Sequence, residues 1–164
     1  MFITQIIGNL HTTHHDYSQH EIDYLELEWF ELSKRILRKT SCANQELGIN
    51  INETGLSFND QDILFADEQK VIAIKVLPTQ AIAITPSNHY EIARICYELG
   101  NRHAPVFCAE HDHSILLVPF DQPMLVLLEK LGVKVQVVDA RLIHPLSQKP
   151  SNRDDHHHSH HHEH

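Results

Sequence analysis

The run Asp155-His156-His157-His158-Ser159-His160-His161-His162-Glu163-His164 places seven imidazoles in the last nine residues of the chain. Neutral imidazole nitrogen is a borderline donor suited to Ni²⁺, Cu²⁺ and Zn²⁺, and its ordinary pKa of about 6.5 leaves it deprotonated at neutral pH. A tract of this composition reads as a metal-binding device. It is broken by Ser159 and Glu163 and preceded by Asp154-Asp155, so it reads as a native tail and not as an uninterrupted purification tag. His156, His157, His158, His160, His161, His162 and His164 are all expected to serve as ligands.

The remaining histidines are less concentrated. His111 and His113 flank Asp112 in a polar stretch, where two side chains directed to one side of a strand could chelate. His144, in Leu142-Ile143-His144-Pro145, leads into the tail and is expected to fold back as an accessory ligand. His11, His14, His15 and His20 follow no strict period and read as a solvated loop. His89 falls in the first turn of a helix, where a structural role is expected. His103 by itself reads as a helix-terminal residue interacting with the dipole.

Composition removes several function classes. A net charge of −9, from 22 acidic and 13 basic residues, opposes nucleic-acid binding and favours cations. Three cysteines, Cys42, Cys96 and Cys108, lie far apart without a C-x-x-C pair, which excludes a disulfide framework and a zinc knuckle; Cys96 and Cys108 are expected in the core. Five glycines form neither G-x-x-x-x-G-K nor G-x-G-x-x-G, so a phosphate-cradling loop is missing. The opening Met1-Phe2-Ile3-Thr4-Gln5-Ile6-Ile7-Gly8 lacks a cationic n-region, and apolar runs stay far below a membrane span. A cytoplasmic location, without membrane partners, is expected.

These residues need elements to position them. Tyr24 to Trp29, Ile49 to Asn52 and Val71 to Val76 alternate in the manner of strands, which predicts a small N-terminal β-sheet domain over 1–77. Leu77-Pro78-Thr79 marks the boundary, since proline is excluded from a central strand. Beyond it, Gln80 to Thr85 reads as a strand. Ser87 or Asn88 caps a helix through Tyr90, Ile92, Ala93, Cys96, Tyr97 and Leu99 that ends at Gly100. Strands follow over Ala104 to Ala109 and Ser114 to Pro119, then a helix from Asp121 or Gln122 with Pro123 through Met124, Leu125, Leu127, Leu128 and Leu131 to Gly132, then a strand over Val133 to Val138. The order βαββαβ predicts a ferredoxin-like domain over 78–146, and an α+β class for the whole chain. Residues 147–164 have little apolar surface to bury and are expected to be disordered.

Tyr97-Glu98-Leu99-Gly100-Asn101-Arg102-His103 resembles the Leu-Gly-Asn-Arg-His signature of the UreE family of urease accessory proteins, which are nickel metallochaperones. Gly55 to Leu64 is similar to that family's turn between N-terminal strands. Phe120-Asp121-Gln122-Pro123-Met124-Leu125 through Leu131-Gly132 is similar to its second helix, and the histidine tail agrees as well. The resemblance implies a homodimer in which His103 meets its symmetry mate and binds one nickel. It further implies an N-terminal domain similar to a peptide-binding domain of Hsp40-type chaperones, and delivery of nickel to apo-urease through an accessory GTPase. Two departures stand out. Gln61 replaces the glycine of an Asp-Gly-Asp turn, so a different local conformation is expected. Val118-Pro119-Phe120-Asp121-Gln122 lacks the histidine pair of some members.

The expected function is that of a nickel carrier, not an enzyme, with Ni²⁺ as cargo and Zn²⁺ or Cu²⁺ as substitutes. The alternatives are a metal store without a client, and a hydrolase using His111, His113 and a carboxylate to activate water.

Overall fold

The computed structural model describes residues 1–51 and 57–147. Its first half is built from β1 (Phe2–Ile3), β2 (Gly8–Asn9), β3 (Glu21–Leu27), a 3-10 turn (Trp29–Glu31), β4 (Ile36–Thr40), β5 (Glu46–Asn50), β6 (Asp62–Ala66) and β7 (Lys70–Val76). These form two sheets, ordered β1-β5-β4 and β2-β6-β7-β3. Along β3 the alternate residues Asp23, Leu25 and Leu27 are buried, giving the half-buried pattern expected of a strand with one covered face. In β7, by contrast, Val71, Ile72, Ala73 and Ile74 are buried in succession. That strand lies between β6 and β3 and has both faces covered, so the expected alternation gives way to a continuous apolar run. Leu25, Leu27, Ile72 and Ile74 from one sheet share a core with Leu47 and Ile49 from the other.

Asp23 fastens the two sheets at one point. Its buried carboxylate accepts the Ser41 hydroxyl at 2.6 Å and the Ala43 N–H at 2.9 Å, and Lys70 Nζ lies 3.0 Å away.

The sheet changes at Leu77-Pro78, where the boundary is expected. The second half contains β8 (Thr79–Thr85), α1 (His89–Asn101), β9 (Phe107–Cys108), β10 (Leu116–Pro119), α2 (Gln122–Lys130), β11 (Lys134–Ala140) and β12 (His144–Pro145). Its sheet runs β11-β8-β10-β9-β12, every pair antiparallel. With sheets and two helices among the described residues, the class is α+β. Ile95 and Leu99 of α1 and Met124 and Leu128 of α2 pack on Ile82, Ile84, Leu116 and Val118, with Cys96 and Cys108 half-buried at the margin.

Three expectations change here. The strand expected over Ala104 to Ala109 is reduced to Phe107–Cys108, because the Ala104 N–H is spent on the preceding helix end and Pro105 has none to give. The helix expected to stop at Gly100 continues to Asn101, and its buried face is Ile95 and Leu99, while Tyr90, Ile92, Ala93 and Tyr97 are exposed. A fifth strand, β12, was not foreseen and adds an edge beside β9.

The two halves touch. Trp29 packs edge-on against Phe107, with ring centroids 5.8 Å apart, over a cluster of Ala81, Leu117 and Leu142. Arg141 reaches Asp60 at 2.7 Å with one guanidinium nitrogen and Glu110 with another. No helix among the described residues is long and apolar enough to cross a membrane.

Candidate metal centre

The end of α1 sets the position of His103. Asn88 caps the helix N-terminus by accepting the Glu91 N–H at 2.9 Å, and the Glu91 carboxylate accepts the Ser87 N–H at 2.8 Å. That backbone hydrogen bond, reinforced by the Ser87 side chain, holds the Glu91 carboxyl below its usual range. At the other end, Arg102 Nη1 binds both the Glu98 carbonyl at 3.1 Å and the Glu98 carboxylate at 2.7 Å. The His103 N–H donates to the Gly100 carbonyl and the Ala104 N–H to the Leu99 carbonyl, both at 3.0 Å. These two bonds form a Schellman motif, whose residue past the C-cap must take the left-handed conformation. Glycine usually fills that position. Here His103 does, at φ 52°. The motif explains why the helix runs past Gly100: Arg102 satisfies a last-turn carbonyl that a glycine stop would have left to water.

The His103 side chain is exposed and makes no hydrogen bond, ion pair or ring contact among the described residues. A non-glycine residue in left-handed backbone costs roughly 1–2 kcal/mol, and such residues gather where a site requires them. α1 also carries an outward stripe, Tyr90, Arg94 and Tyr97, opposite Ile95 and Leu99 and leading toward the His103 end. Tyr90 and Tyr97 are 71% and 68% exposed, and the Arg94 guanidinium sits over the Tyr90 ring at 5.8 Å.

The other expected ligands are placed differently. His111 and His113 lie on the turn between β9 and β10, exposed, and are not in ring contact with each other. His113 instead meets His144, with ring centroids 5.5 Å apart and planes at 62°. Between the two histidines, Asp112 accepts both the Ser114 N–H and hydroxyl and closes the turn that carries His113. Sequence reasoning did not foresee the pairing of His113 with His144, because it depends on β12, a two-residue strand without periodicity of its own. In the N-terminal half, His15, Tyr17 and His20 form mutual ring contacts of 4.5–6.0 Å, more organised than a loop of solvated imidazoles. Among the described residues no group of three or more His, Cys, Asp or Glu is placed to hold a metal ion. His156, His157, His158, His160, His161, His162 and His164 lie outside the described residues.

The Asp60-Gln61-Asp62 turn departs from expectation too. Gln61 takes φ 66°, the conformation a glycine would supply, because its N–H donates to the Ile74 carbonyl at 2.8 Å and its carbonyl accepts from Leu10 at 3.0 Å.

Comparison with known proteins agrees with the arrangement of the chain. The family model described as "UreE urease accessory protein, N-terminal domain" matches residues 3–77, and its counterpart, "UreE urease accessory protein, C-terminal domain", matches residues 79–164. The chain is 37% identical over 142 residues to the urease accessory protein UreE of Flavobacterium johnsoniae, covering 87% of this chain and 83% of that protein. It is 38% identical over 144 residues to the protein of the same name from Helicobacter pylori (strain Shi470), covering 87% and 82%. The protein of that name from Acetivibrio thermocellus is 34% identical over 146 residues, covering 89% and 92%.

Proposed function

This chain belongs to the UreE family of urease accessory proteins, and from that premise we propose that it is a nickel carrier, not a catalyst, that supplies Ni²⁺ to apo-urease. The observation that carries the reading is His103: an exposed imidazole with no partner among the described residues, held in strained backbone at the end of a capped helix. One chain offers one such nitrogen, too few to retain a cation. A two-fold dimer supplies two, because an isologous interface sets the same residue of each copy against itself. The Tyr90, Arg94 and Tyr97 stripe supports a homodimer on this side, since tyrosine and arginine are enriched where surfaces associate.

The mechanism is ligand exchange. The tail histidines, His156 to His164, capture nickel and raise its local concentration. The two His103 rings hold one ion at the dimer surface, and an incoming protein supplies replacement ligands. A site with few ligands releases its ion readily, because a new donor binds before the old ones leave. On this reading residues 1–77 form a partner-binding domain, 78–146 a ferredoxin-like metal domain, and 147–164 the capture segment. The partners are apo-urease and its accessory GTPase, which supplies the nucleotide chemistry for which this chain has no motif, and the setting is the cytoplasm.

The test compares the full chain with His103→Ala. Nickel retained per dimer after dialysis against a weak chelator is expected to fall by one tight ion, and activation of apo-urease with the partner proteins to drop severalfold, with circular dichroism unchanged. Retention of the tight ion and of activation by the variant overturns the assignment.

A further inference from the structure

We propose that His113 and His144 form a second, open metal site on the edge of the C-terminal sheet, separate from His103 and taking a divalent cation of the nickel, copper or zinc type. The identity of the cargo rests on the carrier reading above; the chelating pair does not. A ring nitrogen bound to such an ion lies about 2.0–2.1 Å from it, which puts each ring centre about 3 Å away and two ligand rings about 4.5–6.4 Å apart, depending on the angle at the metal. The observed 5.5 Å falls inside that range.

Both rings are held from opposite sides. His144 is fixed by β12, where it pairs with Cys108 of β9, and the Leu146 N–H continues the attachment with a 2.8 Å bond to the Val106 carbonyl. His113 is fixed by the Asp112 turn, closed by the Ser114 hydroxyl at 2.6 Å and by the Ile115 N–H on the Asp112 carbonyl at 3.0 Å. With Asp112 engaged by Ser114 and no third donor placed among the described residues, the remaining coordination positions are open to water or to an incoming ligand. Such a site passes metal on and does not store it.

Carbethoxylation of histidines in the full-length chain, read by peptide mass spectrometry with and without Ni²⁺, tests the pair directly. At nickel about ten times the dissociation constant the free fraction is about one-tenth, so His113 and His144 are both expected to react about tenfold more slowly, while exposed His89 keeps its rate. In His113→Ala the protection of His144 is expected to vanish, and in His144→Ala that of His113. In His103→Ala both are expected to remain protected, which separates this site from the interface site. Unchanged rates at His113 and His144 overturn the proposal. So does protection of either one that survives loss of the other, which would make their contact aromatic packing only. Loss of protection at the pair in His103→Ala would show that it is not an independent site, and overturns it equally.

Discussion

His103 joins two demands that pull against each other. The Schellman turn that ends α1 is most stable with glycine past the cap, whereas the proposed site needs an imidazole there. Relief of left-handed strain is worth roughly 1–2 kcal/mol, and the greater freedom of glycine in the unfolded chain returns part of it, so His103→Gly is expected to stabilise the fold by about 1 kcal/mol. The same variant should lose the tight nickel. His103→Ala removes the ring without relieving the backbone, and its stability should lie near wild type. Urea unfolding of the three proteins beside nickel retention tests the trade-off; a His103→Gly protein no more stable than His103→Ala would mean that the turn carries no strain. Gln61 poses the same question without a metal to justify it, and nothing in the structure explains why glutamine stands there.

Among elements, Asp23 links the β4–β5 turn to the β3–β7 pair. Burial pushes its carboxyl up, but the Ser41 hydroxyl, the Ala43 N–H and Lys70 together outweigh burial and hold it below the ordinary value of 3.8. A carboxyl depressed in the fold contributes stability that is fully present above its unfolded pKa and is lost as pH falls through the folded one. Asp23→Asn is therefore expected to be less stable than wild type at pH 7, with the gap closing below about pH 4. Denaturant titrations at both pH values check it, and a gap independent of pH would show that the charge is not what binds the sheets. Legibility in the sequence followed the same division between local and distant chemistry. Asn88 and Asp121 were readable as caps because a cap is decided within four residues, and β8, α1, α2 and β11 were readable by period. The end of α1 was misplaced because Arg102 folds back on Glu98, a side-chain choice that competes with Gly100. β12 was invisible because two residues have no period, and with it went the meeting of His144 with His113, 31 positions apart in the chain. His103 could be singled out only by resemblance.

For the molecule as a whole, the decisive contact is Arg141, whose guanidinium joins the Asp60 turn of the N-terminal half to Glu110, the residue before the His111–His113 turn. The Asp60 side chain is 7% exposed and already accepts the Val76 N–H at 2.8 Å, and its second oxygen accepts from Arg141 at 2.7 Å and, more distantly, from Gln61 Nε2 at 3.5 Å. Burial works against the guanidinium charge, but Glu110 and Asp60 more than offset it and hold the Arg141 pKa above its ordinary value. Breaking a buried pair from one side costs about 3–5 kcal/mol, and since Arg141 is partly in contact with water we expect a smaller loss, about 2 kcal/mol, for Arg141→Met. Methionine keeps most of the stem's volume, so the loss reports chiefly the charge. Asp60→Asn in the same chain should recover part of it, because an amide tolerates the vacated partner better than a carboxylate does. Urea midpoints for the wild type, both single variants and the double variant form the cycle. A coupling energy near zero would mean that apolar contacts, such as Trp29 on Phe107 and Ile143 on the N-terminal core, hold the two halves without help from this ion pair. A coupling of the expected size would make the Arg141–Asp60 pair a measurable part of what holds the two halves together.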